Sequence, residues 1–137
     1  MTKLIYEKNF DALKKLGFTT KLKYKKVESK GFMPRSIERI GQNRFSICHY
    51  YEQNGDLMRD PEITFDVLSH GNVNMIDVLT FQNDGIGLYQ EVYTYDDDGK
   101  KVGVRLKLKK DLNKFFGDWL KNLKMQGFKM DEAKERE

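Results

Sequence analysis

Asn54-Gly55, set between two runs that alternate apolar and polar side chains, constrains this chain more than any other feature. A type I′ turn needs positive φ at both central residues, and Asn-Gly meets that demand at low steric cost. The dipeptide therefore folds the run Arg44–Tyr51 back antiparallel, with Ile63, Phe65 and Val67 on the return strand. Side chains alternate between faces along a strand. Phe45, Ile47, His49 and Tyr51 accordingly share one face, and Ser46, Cys48, Tyr50 and Glu52 the other. Asp60-Pro61 interrupts the return strand. Proline cannot donate to a ladder, so a bulge or bend is expected there.

The flanking segments extend this pattern into a sheet. Phe18–Val27 alternates, with Leu22 and Tyr24 expected to face the core and Lys21, Lys23 and Lys25 the solvent. Glu28–Gly31 reads as a turn, Ser36–Ile40 as a strand with Pro34 near its start, and Ser69–Asn74 as another turn. Strands are expected near Met75–Gln82, Gly87–Tyr95 and Lys101–Leu108, the last two separated by the turn Asp96-Asp97-Asp98-Gly99. Helical spacing appears at both ends. Tyr6, Phe10, Leu13 and Leu16 form one stripe, stopped by Gly17. Leu108, Leu112, Phe115, Phe116, Trp119, Leu120 and Leu123 form a second, ended by Gly127. Each such side chain contributes about 1.5–3 kcal/mol when buried, so the second helix must dock on something. The expected fold is α+β: an antiparallel β-sheet meander with N- and C-terminal helices packed on one face, in a single domain over residues 1–130. Residues 131–137 lack apolar side chains and read as a frayed, charged tail.

Composition narrows the class. At 137 residues and 12% aromatic, the chain can bury one real core. Its single cysteine, Cys48, excludes an internal disulfide and suggests a reducing compartment. The first residues lack the apolar stretch of a signal peptide, and no apolar run approaches the ~20 residues needed to span a bilayer. A cytoplasmic protein with no membrane partner is expected. Net charge +4 conceals a partition: 12 Lys and Arg against 4 acids in residues 1–44, one (Arg59) against 11 in 45–98, and 12 against 6 in 99–137. Blocks of this kind bear on association and steering rather than on fold.

Several groups of residues are candidates for chemistry. The hairpin gathers His49, Tyr50, Tyr51, Glu52, Asp56, Arg59, Asp60 and Glu62, which suits a protein-recognition surface. A histidine satisfied within the structure is the plainer account of His49, and one histidine with carboxylates is not a structural zinc set. A hydrolase using paired carboxylates, or a metal, would need those groups to converge on a cleft. The lysine faces of two expected strands, Lys21, Lys23 and Lys25 with Arg105, Lys107 and Lys109, would suit a nucleic-acid backbone if the strands were neighbours. Tyr93 or Tyr95 would then add stacking surfaces. A solvated lysine face that keeps a sheet soluble competes with that account. Asp96-Asp97-Asp98-Gly99 lacks the spaced ligands and closing glutamate of an EF-hand. Asn83-Asp84-Gly85-Ile86-Gly87 has no third glycine and no βαβ context, so no cofactor is expected. Cys48 reads as a buried, inert thiol.

Four stretches together resemble a known family. They are Gly31–Ile40, the hairpin from Phe45 through Phe65 with its run His49-Tyr50-Tyr51-Glu52-Gln53-Asn54-Gly55-Asp56-Leu57, Gly87–Glu91, and Phe116–Gly127. The family is a domain of unknown function encoded on plasmids, integrative elements and phages, and the resemblance spans nearly the whole chain. It implies an accessory gene of mobile DNA and carries no established activity and no catalytic residues. Residues 69–78 depart from the family's usual tryptophan-containing pattern. The expectation is thus a small non-catalytic protein that binds a host or mobile-element protein, such as a defence nuclease of the CRISPR type. A nucleic-acid-binding accessory protein is the alternative, and a metal-dependent or carboxylate hydrolase the third.

Overall fold

In the computed structural model, which describes residues 3–130, nine strands and two α-helices form an α+β fold. Helix α1 (Ile5–Lys15) leads into β1 (Tyr24–Glu28), β2 (Arg35–Arg39), β3 (Arg44–Gln53), β4 (Asp56–His70) and β5 (Val73–Asn83). A single 3₁₀ turn (Asp84–Ile86) precedes β6 (Leu88–Glu91), β7 (Tyr93–Tyr95) and β8 (Lys101–Val104). Helix α2 (Leu106–Met125) and the short β9 (Lys129–Met130) complete the described chain. Seven strands make one sheet in the order β6-β5-β4-β3-β2-β1-β9, every pairing antiparallel, and β7-β8 form a separate ribbon. The expected tail at 131–137 lies outside the described residues.

The meander follows from short turns between alternating strands. Asn54 and Gly55 both adopt positive φ, as the β3–β4 turn requires. Phe45 pairs with Phe65 and Ile47 with Ile63, so their side chains enter the core together. The core also takes Phe116 of α2, whose ring lies 5.4 Å from that of Phe65. Phe18 contacts the rings of Phe10, Phe45 and Phe65, tying α1 to the sheet.

The helices meet through two asparagines. Asn9 Nδ2 donates to the Asn113 carbonyl at 2.8 Å, and Asn113 Oδ1 accepts the Val78 amide of β5 at 3.1 Å. Buried polar groups must be paired in this way, because an orphan costs more than a bond gains. Gly117 permits the close crossing: a Cβ there would sit 2.7 Å from Asn9 Oδ1.

Four expectations are corrected. The expected strand Phe18–Val27 shortens to Tyr24–Glu28, because the carbonyls of Thr20 and Leu22 accept hydrogen bonds from the Arg39 guanidinium instead of a ladder. The phase changes with it. Lys25, expected in solvent, is 2% exposed on the side of Val27, while Tyr24 faces outward. The expected strand Gly87–Tyr95 breaks at Val92, which is fully buried: β6 stays in the main sheet and β7 joins β8. Lys101–Leu108 stops being a strand at Val104. Lys107 and Lys109 therefore stand on α2, and Arg105 is its N-cap residue.

Candidate functional site

The β3–β4 hairpin projects beyond the rest of the sheet. β2 begins at Arg35, opposite His49, so Tyr50–Gln53 continue with no β2 neighbour. The register shifts between Cys48 and Tyr50, opposite the cis Asp60–Pro61 peptide, where a bulge was expected. That bulge leaves Tyr50 paired with Arg59 and Glu52 with Leu57.

It also divides the candidate residues. His49 Nδ1–H donates to the Asp60 carbonyl at 2.9 Å, because a carbonyl can only accept. The other ring nitrogen, Nε2, is buried and without a hydrogen-bond partner among the described residues. Arg35 stands opposite it on β2, its guanidinium 4.9 Å over the Phe128 ring. Burial lowers the Arg35 pKa, and the nearby Asp60 charge opposes that shift. The Asp60 carboxylate accepts from Asn83 Nδ2 at 2.7 Å. Glu62 lies on the opposite face with Cys48, its strand partner, and accepts the Ser46 hydroxyl at 2.7 Å. Glu52 and Asp56 are exposed near the hairpin tip. His49, Glu52, Asp56, Asp60 and Glu62 thus do not converge on one cleft. Among the described residues no group of three or more His, Cys, Asp or Glu side chains is placed to hold a metal ion.

The 3₁₀ turn braces the hairpin from the β4 side. One oxygen of Asp84 accepts both the Arg59 backbone amide at 2.9 Å and its Nε at 3.0 Å. These bonds, the backbone one foremost, hold the Asp84 pKa below the ordinary carboxylate value. The segment dismissed as a nucleotide fingerprint is therefore a clamp on the hairpin. Burial pushes the Cys48 thiol up to about 12, and it does the same to the Tyr50 phenol. Neither group is prepared to act as a nucleophile near neutral pH.

What the hairpin does shape is a concave surface of about 290 Å³ between its outer face and β1–β2. Tyr24, Met33, Pro34, Tyr50, Tyr51 and Leu57 supply its apolar walls, with Lys26, Arg35 and Glu52 at the polar margin. Leu57 is 67% exposed, Met33 59% and Tyr24 48%. Tyr50, Tyr51 and Glu52 were expected at such a surface; Tyr24, Met33 and Leu57 were not. Leu57 carries a signal in the sequence, as an apolar residue on the polar face of its strand beside Glu52.

The expected lysine stripe is not assembled. β1 pairs with β2 and β9, whereas β8 pairs with β7 in the other sheet. Lys25 is buried, and Lys109 is engaged by the Tyr93 hydroxyl at 2.8 Å. That bond belongs to a network unforeseen in the sequence. Tyr93 donates to the buried Asp77, and Lys101 lies 3.2 Å from Asp66 and 3.9 Å from Asp77. Burial, then the Asp77 hydrogen bond, raises the Tyr93 pKa. Arg105 Nη1 donates to the Glu91 carbonyl, satisfying a backbone acceptor on edge strand β6.

Residues 8–129 match the sequence profile of a domain of unknown function, DUF6908, and the chain belongs to that family. Neither the curated proteins nor the solved structures contain a match to the chain. Among the described residues, no helix is long and apolar enough to cross a membrane.

Proposed function

We propose that this chain is a small non-catalytic protein that works in the cytoplasm by occupying a surface on another protein. Its two helices would cover one face of the sheet and leave the hairpin's outer face for the partner. The observation that carries this proposal is the groove beside the β3–β4 hairpin, where Leu57, Met33 and Tyr24 stay exposed around Tyr50 and Tyr51. Exposed apolar clusters rimmed by polar residues mark interaction sites, and tyrosine supplies large contact area at low entropic cost. The unpaired edge of β3 beyond Tyr50 adds free backbone groups for an extended partner segment. The raised Cys48 and Tyr50 pKa values and the scattered carboxylates give a hydrolase nothing to favour it.

The resemblance to a family encoded on plasmids, integrative elements and phages supplies the biological setting of the proposal. The partner would be a host or mobile-element protein, and inhibition of a host defence nuclease such as a CRISPR effector is the form this setting suggests. The test is affinity capture from host lysate with the wild type, Leu57→Asp, and, as a remote control, Lys100→Gln in the β7–β8 turn. A protein retained by the wild type and the control but lost with Leu57→Asp supports the proposal. Capture profiles identical for all three contradict it.

A further inference from the structure

Helix α2 carries charge that its own stability does not call for. Its first turn has no acidic residue, its N-cap Arg105 makes no side-chain cap, and Lys107, Lys109 and Lys110 crowd the end where the helix dipole disfavours cations. Lysines that run against a local rule without a compensating contact are candidates for function. Lys109 has its contact with Tyr93, and Lys107 pairs with Asp111 at 3.1 Å. Lys110 has no ion-pair partner among the described residues, and neither do Lys114 and Lys121 further along.

These three fall within about 40° of one another around the helix axis, opposite the buried Phe116 and Leu123. On α1, Lys8 and Lys15 are two turns apart and opposite Phe10 and Leu13. All five are exposed. The crossing at Asn9–Asn113 and Ile5–Gly117 sets the two rows side by side. The acidic block of residues 45–98, by contrast, runs from β3 to the β7–β8 turn and contributes no residue to either helix.

We infer that the outward lysine face of the α1–α2 pair binds the phosphate backbone of duplex nucleic acid. The occupant is argued from charge complementarity and spacing. Lys110 to Lys121 spans about 16 Å at 1.5 Å per residue, about five phosphate steps of one strand. None of these lysines is paired with a base-stacking aromatic ring on the same arc, so the contact is with backbone and independent of sequence. This site is separate from the hairpin groove, and neither depends on the other.

The experiment is fluorescence anisotropy of a labelled duplex DNA of about 20 base pairs, titrated with the full chain across a salt series. Five phosphate contacts give a log–log salt slope near −4.5, or roughly a 500-fold loss of affinity between 50 and 200 mM salt. The triple variant Lys110→Gln, Lys114→Gln, Lys121→Gln reduces the slope to about −1.8, and Lys8→Gln with Lys15→Gln brings it to about −2.7. Glutamine keeps helix propensity, and unchanged Trp119 fluorescence reports a retained fold. Leu57→Asp and Lys21→Gln with Lys23→Gln leave the slope unaltered. No binding at 50 mM salt, a slope indifferent to both lysine sets, or binding of phosphatidylserine vesicles in preference to duplex would each overturn the inference.

Discussion

Replacing Asn113 with alanine tests the join between helices and sheet. Asn113 is fully buried, accepts the Val78 amide through Oδ1 and donates from Nδ2 to the Lys109 carbonyl at 2.7 Å. β6 pairs with β5 only over Thr80–Asn83, so Val78 has no β6 residue to take its place. Asn113→Ala therefore strands a buried N–H, which costs about 1–3 kcal/mol. The void adds about 1 kcal/mol, and the gain in helix propensity returns about 0.6 kcal/mol. The expected loss is about 1.5–3.5 kcal/mol, or roughly 6–14 °C in Tm for a domain of this size. Urea denaturation followed through the single, buried Trp119 measures it. Amide exchange at Val78 supplies a second, local readout. A loss below about 0.5 kcal/mol with Val78 still protected would refute the account of how α1, α2 and β5 are joined.

Two further outcomes follow from the groups around the hairpin. The lowered Asp84 pKa means that its clamp on Arg59 is fully present above the ordinary carboxylate pKa of 3.8 and is lost as pH falls through the lower folded value. The Arg59 amide proton should shift and lose exchange protection only in that acid range, and a titration midpoint at or above 3.8 would contradict the clamp. With its pKa pushed to about 12 and 2% exposure, Cys48 should resist iodoacetamide at pH 8 in the native state and react on unfolding in urea. Equal rates in the two states would mean that the hairpin face opens readily.

Much of this fold was legible because alternation and turn chemistry agree. Arg44–Tyr51, Asn54-Gly55 and Ile63–Val67 reach the same hairpin by pattern and by backbone, and the apolar stripes locate both helices. Illegible stretches were those where a distant group decides the outcome. Arg39 takes the carbonyls of Thr20 and Leu22 across the fold, ending a strand that the local pattern would continue and reversing the face of Lys25. At Lys101–Leu108 an alternating run overlaps the start of a helical stripe, and Val102 and Leu106, apolar positions of that run, are 65% and 72% exposed. Within the candidate site, Tyr50, Tyr51 and Glu52 were found by their density along the chain. Tyr24 and Met33 join them only through the β1–β2–β3 registers, which place residues far apart in sequence on one surface.

The most direct test of the protein-binding account is the affinity of the captured partner for the wild type and for Leu57→Asp, measured by biolayer interferometry at one salt concentration. A charge placed at a buried apolar contact should cost 2 kcal/mol or more, about a 30-fold rise in Kd, while circular dichroism and Tm stay unchanged. Equal affinity for the two proteins, with the fold intact in both, would contradict the claim that the hairpin groove is the contact surface.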